Sequence, residues 1–152
     1  MHPAYSVILF TTASGAGYGL LIGLAVSMLL GIVPRDPTFG FFALGTSVAL
    51  ITIGLLTSTF HLGRPARAWR AVTQVGSSWL SREGVAALVT YLPVAALGLG
   101  WVFGEYQQGQ MIVGALLSIV GALVTVWCTG RIYSSLPTIR AWHLGLVAPI
   151  YL

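Results

Sequence analysis

The sequence predicts an all-α fold: a polytopic transmembrane helix bundle of four spans and the start of a fifth, with a short interfacial helix after span two. Three observations predict it. The 152 residues are 57% hydrophobic and 7% charged, whereas soluble domains carry about 25% charged residues, so the protein is unable to cover its surface with water-binding groups. Four apolar runs reach the ~20 helical residues that cross a bilayer. Two of the links between them, 34–38 and 104–110, are short, which makes the joined helices antiparallel neighbours. Residues 1–152 read as a single membrane domain.

The first span lies within 4–33 and is long enough to tilt or to project beyond the lipid. It starts at a terminus without a basic n-region and is too long for a signal peptide, so it stays as an anchor. Gly15, Gly19, Gly23, Ser27 and Gly31 recur every four residues along it. Such a stripe lets backbones approach closely where lipid offers no hydrophobic drive, and it predicts a helix contact rather than a substrate groove. The second span is expected over 39–60, the third over 84–103 with Ser81 as its N-cap, and the fourth over 111–133. Gly114, Ser118 and Ala122 repeat the small-residue pattern in the fourth. Tyr18 and Tyr91 fall at membrane depth and need hydroxyl partners, which turns them inward.

Between the second and third spans, Gly63 and Pro65 end one helix and start another. A helix over 66–74 places Arg67, Arg70, Thr73 and Gln74 on one face and Ala68, Trp69, Ala71, Val72 and Val75 on the other. It is an amphipathic interfacial helix with Trp69 at headgroup depth. Its charged face suits either anionic lipid or an acidic protein surface. The run Leu144–Leu152 is too short to span and reads as the front of a fifth helix, so the sequence is expected to be the front part of a longer protein.

Charge is distributed unequally. All seven cations are arginines, and Arg64, Arg67, Arg70, Arg82, Arg131 and Arg140 share one face of a four-span bundle. Arg35, Asp36 and Glu105 belong to the other. The positive-inside rule makes the arginine face, with its 61–83 loop, cytoplasmic. The cations cluster at the ends of apolar runs, which fits headgroup contact and not nucleic acid. Cys128, the single cysteine, can form no internal disulfide and reads as a small buried apolar residue.

Ionisable groups in membrane proteins persist where they are paired, wet or used. His61 ends the second span and Glu83 opens the third, so antiparallel pairing brings them to one depth. Both also suit their helix dipoles, a structural role complete in itself, with Glu83 paired to Arg82. The functional reading uses the same placement. Oxidising a quinol releases two electrons and two protons, and an imidazole beside a partly buried carboxylate can accept the protons near neutral pH. A neighbouring arginine can polarise a quinone oxygen or fix the carboxylate. Arg64, Arg67 and Arg82 are the supporting candidates, and Arg70, Trp69 and Trp79 are candidates for partner or lipid docking. No span interior contains a histidine to ligate haem, and no cysteine cluster exists for iron–sulfur, so no haem, cluster or metal is expected in this chain.

Four blocks carry a family likeness: His2-Pro3-Ala4-Tyr5-Ser6-Val7-Ile8-Leu9-Phe10-Thr11-Thr12 with Gly15-Ala16-Gly17, His61-Leu62-Gly63-Arg64-Pro65 with Arg67-Ala68-Trp69-Arg70-Ala71, Ser78-Trp79-Leu80-Ser81-Arg82-Glu83, and Gly130-Arg131-Ile132-Tyr133 with Arg140-Ala141-Trp142. Together they resemble the membrane-anchor subunit of dimethyl sulfoxide reductase, over nearly the whole sequence. The resemblance implies a molybdopterin catalytic subunit and a four-cluster iron–sulfur subunit as partners. It also implies menaquinol as the bound substrate, with electrons passed to the iron–sulfur subunit in anaerobic respiration at the bacterial cytoplasmic membrane. The family's quinol-site histidine and glutamate fall on His61 and Glu83. Family members have about eight spans.

Other classes stay open. A passive anchor would dock a protein through the 61–83 loop without touching quinol. A polysulfide or nitrite reductase-type anchor would share the bundle. Half of a secondary transporter would need broken or polar helices at mid-membrane, which these spans lack.

Overall fold

The computed structural model describes residues 3–59, 69–70, 73–104, 107–136, 142 and 144–152. Four long helices follow one another: α1 (Pro3–Leu29), α2 (Pro37–Thr59), α3 (Trp79–Phe103) and α4 (Gln108–Ser134), then a short α5 (Val147–Ile150). Each of the four is long and apolar enough to cross a membrane. Consecutive helices run antiparallel, and α1 also packs on α4, which closes the ring of four.

Local chemistry sets the helix ends. α1 stops where Gly31 adopts a left-handed φ of 68°. There the Ile32 amide donates to Ser27 O at 2.9 Å and the Gly31 amide to Met28 O at 3.1 Å, the paired bonds of a Schellman cap. Gly31 therefore ends the helix and does not extend the stripe. α2 opens on Pro37, whose missing amide hydrogen is no loss at a first turn, with Asp36 Oδ2 accepting from the Phe39 amide at 2.6 Å. α3 begins five residues before the expected Gly84. Its N-cap is Ser78, not Ser81: Ser78 Oγ accepts from the Ser81 amide at 3.4 Å. Ser81 is buried inside the first turn of the helix. Gly104, at φ 65°, closes α3 by donating to Gly100 O. Of the expected interfacial helix, Trp69–Arg70 and Thr73–Gln74 have 3₁₀ conformation, and 66–68 and 71–72 lie outside the described residues.

A helix apolar on every side leaves its orientation to residue size. The bundle axis collects Leu21, Ala25, Ser47, Leu97, Ala115, Ser118 and Ala122, while Leu56, Leu88, Leu92, Leu117 and Val120 point outward. Leu97 is 1% exposed and Leu92 71%. That outward apolar skin is unsupportable in water and is the surface lipid covers. Hydroxyls inside the skin bond backwards along their own helix, as Ser14 does to Phe10 O (2.6 Å) and Ser118 to Gly114 O (2.7 Å). Other hydroxyls bridge helices, among them Ser47 Oγ to Gly17 O at 2.8 Å and Thr52 Oγ1 with Tyr91 Oη at 2.7 Å. Tyr91 thus finds its expected partner. Tyr18 is turned inward, but its hydroxyl has no hydrogen-bond partner among the described residues.

The small-residue stripes divide. In α4, Gly114, Ser118 and Ala122 are buried, and a Cβ on Gly114 would lie 3.6 Å from Leu97, so this stripe is a helix contact. In α1 the expectation fails: a Cβ on Gly15, Gly19 or Gly23 would meet nothing within 4 Å. The close approaches of α1 and α2 occur instead at Gly17, against Ile51 and Ser47, and at Gly54, against Ser14. The stripe offers smoothness, but the larger partners sit on a different face.

At the end of the sequence, Ala148 is fully buried against Gly130, and Tyr151 stacks on Tyr133 at 5.4 Å between centroids. Trp142 meets Tyr133 edge-on. The terminal apolar run therefore packs on α4.

A buried carboxyl at one end of the bundle

Glu83 sits in the second turn of α3 and is 3% exposed. Its register explains why. The pairs Glu83–Thr129, Thr90–Thr125 and Leu97–Gly114 mark the line along which α3 meets α4. A carboxyl on that line is buried between the two helices. The Thr129 hydroxyl donates to Glu83 Oε1, and the same hydroxyl lies 3.1 Å from Thr125 O, a second acceptor to which it can turn. A threonine hydroxyl both donates and accepts, so it serves a carboxylate and a protonated carboxyl equally.

Arg82, the adjacent residue, points elsewhere. Its Nε donates to Val75 O and its Nη2 to Gly76 O, both at 2.8 Å, and its guanidinium lies 4.3 Å from the centre of the Trp79 ring. These bonds fasten the turn before α3. They do not form the Glu83–Arg82 pair that a purely structural role suggested. Trp79 also carries Arg131 over its ring at 4.9 Å. Arg70 covers the exposed Trp69 at 5.5 Å. His61, Arg64 and Arg67 lie outside the described residues.

The pairing of α2 with α3 bears on the depth of this end. Trp101 lies against Gly40, and Tyr91 bonds to Thr52. The same antiparallel register carries Thr59, the last residue of α2, to the level of Glu83. The last described turn of α2 and the first turns of α3 therefore share one end of the bundle, and the depth expected for His61 itself lies outside the described residues.

A cavity of about 200 Å³ opens between α1 and α4, lined by Ser14, Gly15, Tyr18, Gly19, Thr129 and Tyr151, among others. It is the space that the unfilled α1 stripe leaves. Thr129 belongs both to this cavity and to Glu83, so it links the buried carboxyl to an opening at membrane depth. Sequence reasoning missed Thr129. The available signal was Thr125 and Thr129 one turn apart in an otherwise apolar helix, a spacing that puts both hydroxyls on one face.

Comparison with known proteins gives a consistent family. The model of the family described as DMSO reductase anchor subunit (DmsC) matches residues 1–152. A sulfite dehydrogenase subunit of Allochromatium vinosum is 36% identical over 167 residues, covering 100% of this sequence and 51% of that protein. A subunit of the anaerobic dimethyl sulfoxide reductase of Escherichia coli K12 is 27% identical over 91% of this sequence and 49% of its own length. Its namesake in Haemophilus influenzae is 26% identical over 93% and 50%. The protein spans about half the length of these relatives. No solved structure matches it.

Proposed function

The chain belongs to the DMSO reductase anchor subunit family, and from that premise we propose that it binds menaquinol and accepts its protons in a molybdoenzyme complex. In this reading the protein holds no haem, cluster or metal. The two electrons pass to an iron–sulfur subunit, and a molybdopterin subunit uses them. The arginine-rich 61–83 end faces the cytoplasm of a bacterial inner membrane. One observation carries the proposal: Glu83 is a buried carboxyl held by a hydroxyl that also lines a cavity at membrane depth. Burying an ionisable group costs several kcal/mol when it lacks an ionic partner. A membrane helix keeps such a group where it is used.

The chemistry follows from the groups. A quinol hydroxyl beside Glu83 gives up its proton to the carboxylate as electrons leave the ring for the partner. A carboxylate does this efficiently only within hydrogen-bond reach of the hydroxyl, directly or through one intervening group. Thr129 is placed to be that group, accepting on one side while donating to Oε1 on the other. His61, close in sequence to the α2 end that lies level with Glu83, takes the second proton. Arg64 and Arg67 from the same loop bind the quinone oxygens.

The likeness to a sulfite dehydrogenase subunit supports a second direction, in which electrons reach the quinone and Glu83 supplies the proton. The site serves either, because proton transfer is reversible. A test separates quinol chemistry from passive anchoring. Membranes carrying the assembled complex are given a short-chain naphthoquinol and, separately, reduced viologen, which feeds the partner subunits directly. His61→Ala is expected to keep viologen turnover and to lose quinol turnover about 100-fold or more. Equal retention of both activities would mean that the protein only anchors.

A further inference from the structure

Among the described residues, Arg70, Arg82 and Arg131 lie at one end of this bundle, and the acids that could answer them are Asp36 and Glu83. Asp36 caps α2 at the opposite end. Glu83 is turned inward to Thr129. Among the described residues, no carboxylate side chain is left to neutralise this end.

The excess has a definite geometry at Trp79, the first residue of α3. Arg82 and Arg131 both lie over its indole, at 4.3 and 4.9 Å. The ring stabilises each cation but neutralises neither. Arg82 is immobilised by Val75 O and Gly76 O, which use Nε and Nη2 and leave Nη1. Arg131 comes from the last turn of α4. Two guanidiniums converging on one ring repel each other unless an anion joins them. The N-terminus of α3 beside them adds partial positive charge.

We propose that Trp79, Arg82 and Arg131 form a binding site for the phosphate of an anionic phospholipid. The first turn of α3 and the last turn of α4 are the limits of their spans, which is headgroup depth. Guanidinium forks match a phosphate's oxygens. An acidic protein would need a carboxylate lowered to that depth, whereas lipid phosphates are already there.

The experiment uses the whole protein in nanodiscs of phosphatidylcholine with increasing phosphatidylglycerol, with thermal unfolding as the readout. Phosphatidylglycerol is expected to raise Tm saturably. Arg131→Gln is expected to raise the half-saturating fraction about tenfold, the loss of one charge-assisted hydrogen bond. Arg131→Lys should fall between the two, and Arg35→Gln at the other end should match the wild type. Three results would overturn the proposal: Arg131→Gln responding like the wild type, inorganic phosphate in phosphatidylcholine discs producing the same rise, or Arg131→Gln keeping the lipid response while losing an acidic partner protein on purification.

Discussion

Glu83→Gln in the assembled complex is expected to lower quinol turnover by about 10²- to 10⁴-fold, the usual contribution of a positioned proton acceptor. Folding and assembly should survive. Glutamine has the same shape, and its carbonyl oxygen can accept the Thr129 hydrogen bond that Glu83 Oε1 accepts now. The substitution also removes a buried ionisable group, so the spans should become no less stable. What it cannot do is take a proton. Steady-state oxidation of a short-chain naphthoquinol, beside viologen turnover as the measure of intact partners, reads the difference. A loss shared by both activities would trace the effect to assembly and not to protons.

The second large effect is structural and falls on two glycines outside the obvious stripe. A Cβ at Gly54 would lie 2.7 Å from the Ser14 amide nitrogen, and one at Gly17 would lie 2.7 Å from Ile51 Cγ1 and 2.8 Å from the Ile51 nitrogen. Backbone atoms in paired helices have no rotamer to yield, so α1 and α2 must separate. Gly17→Val and Gly54→Val are each expected to destabilise the bundle by about 2–3 kcal/mol or more. Gly19→Ala should do the opposite, gaining up to about 1 kcal/mol of helix propensity, because its Cβ would meet nothing within 4 Å. Thermal unfolding of the three variants in detergent checks both signs.

These glycines show how far the sequence could be read. Helix number, direction and order were legible, since composition and two short links determine them. The α1 stripe was misread because a four-residue period shows that one face is smooth, not which face a neighbour uses. The true contacts are single glycines matched to Ile51, Trp101, Ser14 and Thr90, pairings that exist only once two helices are in register. The start of α3 moved for a similar reason. Ser78 and Ser81 are equally good caps in isolation, and the bonds of Arg82 to Val75 O and Gly76 O fasten the earlier turn.

At the site, Glu83 stood out because a carboxyl is conspicuous beside apolar spans. Thr129 did not, because threonines that bond back to their own helix are ordinary in membranes, as Thr125 does to Gly121 O at 2.8 Å. Its significance comes from the α3–α4 register, which no local pattern encodes. Arg82 was a candidate to support the quinol; two of its guanidinium nitrogens are bound by loop carbonyls beside the Trp79 indole, a placement that only the fold reveals.

Redox-difference infrared spectroscopy of the complete complex, cycled between its quinol and quinone forms, addresses proton transfer to Glu83 without relying on turnover. A carboxyl carbonyl band that appears with quinol oxidation, shifts in heavy water and vanishes in Glu83→Gln is the predicted result. The same band persisting in Glu83→Gln, or no carboxyl band in the wild type, would contradict it.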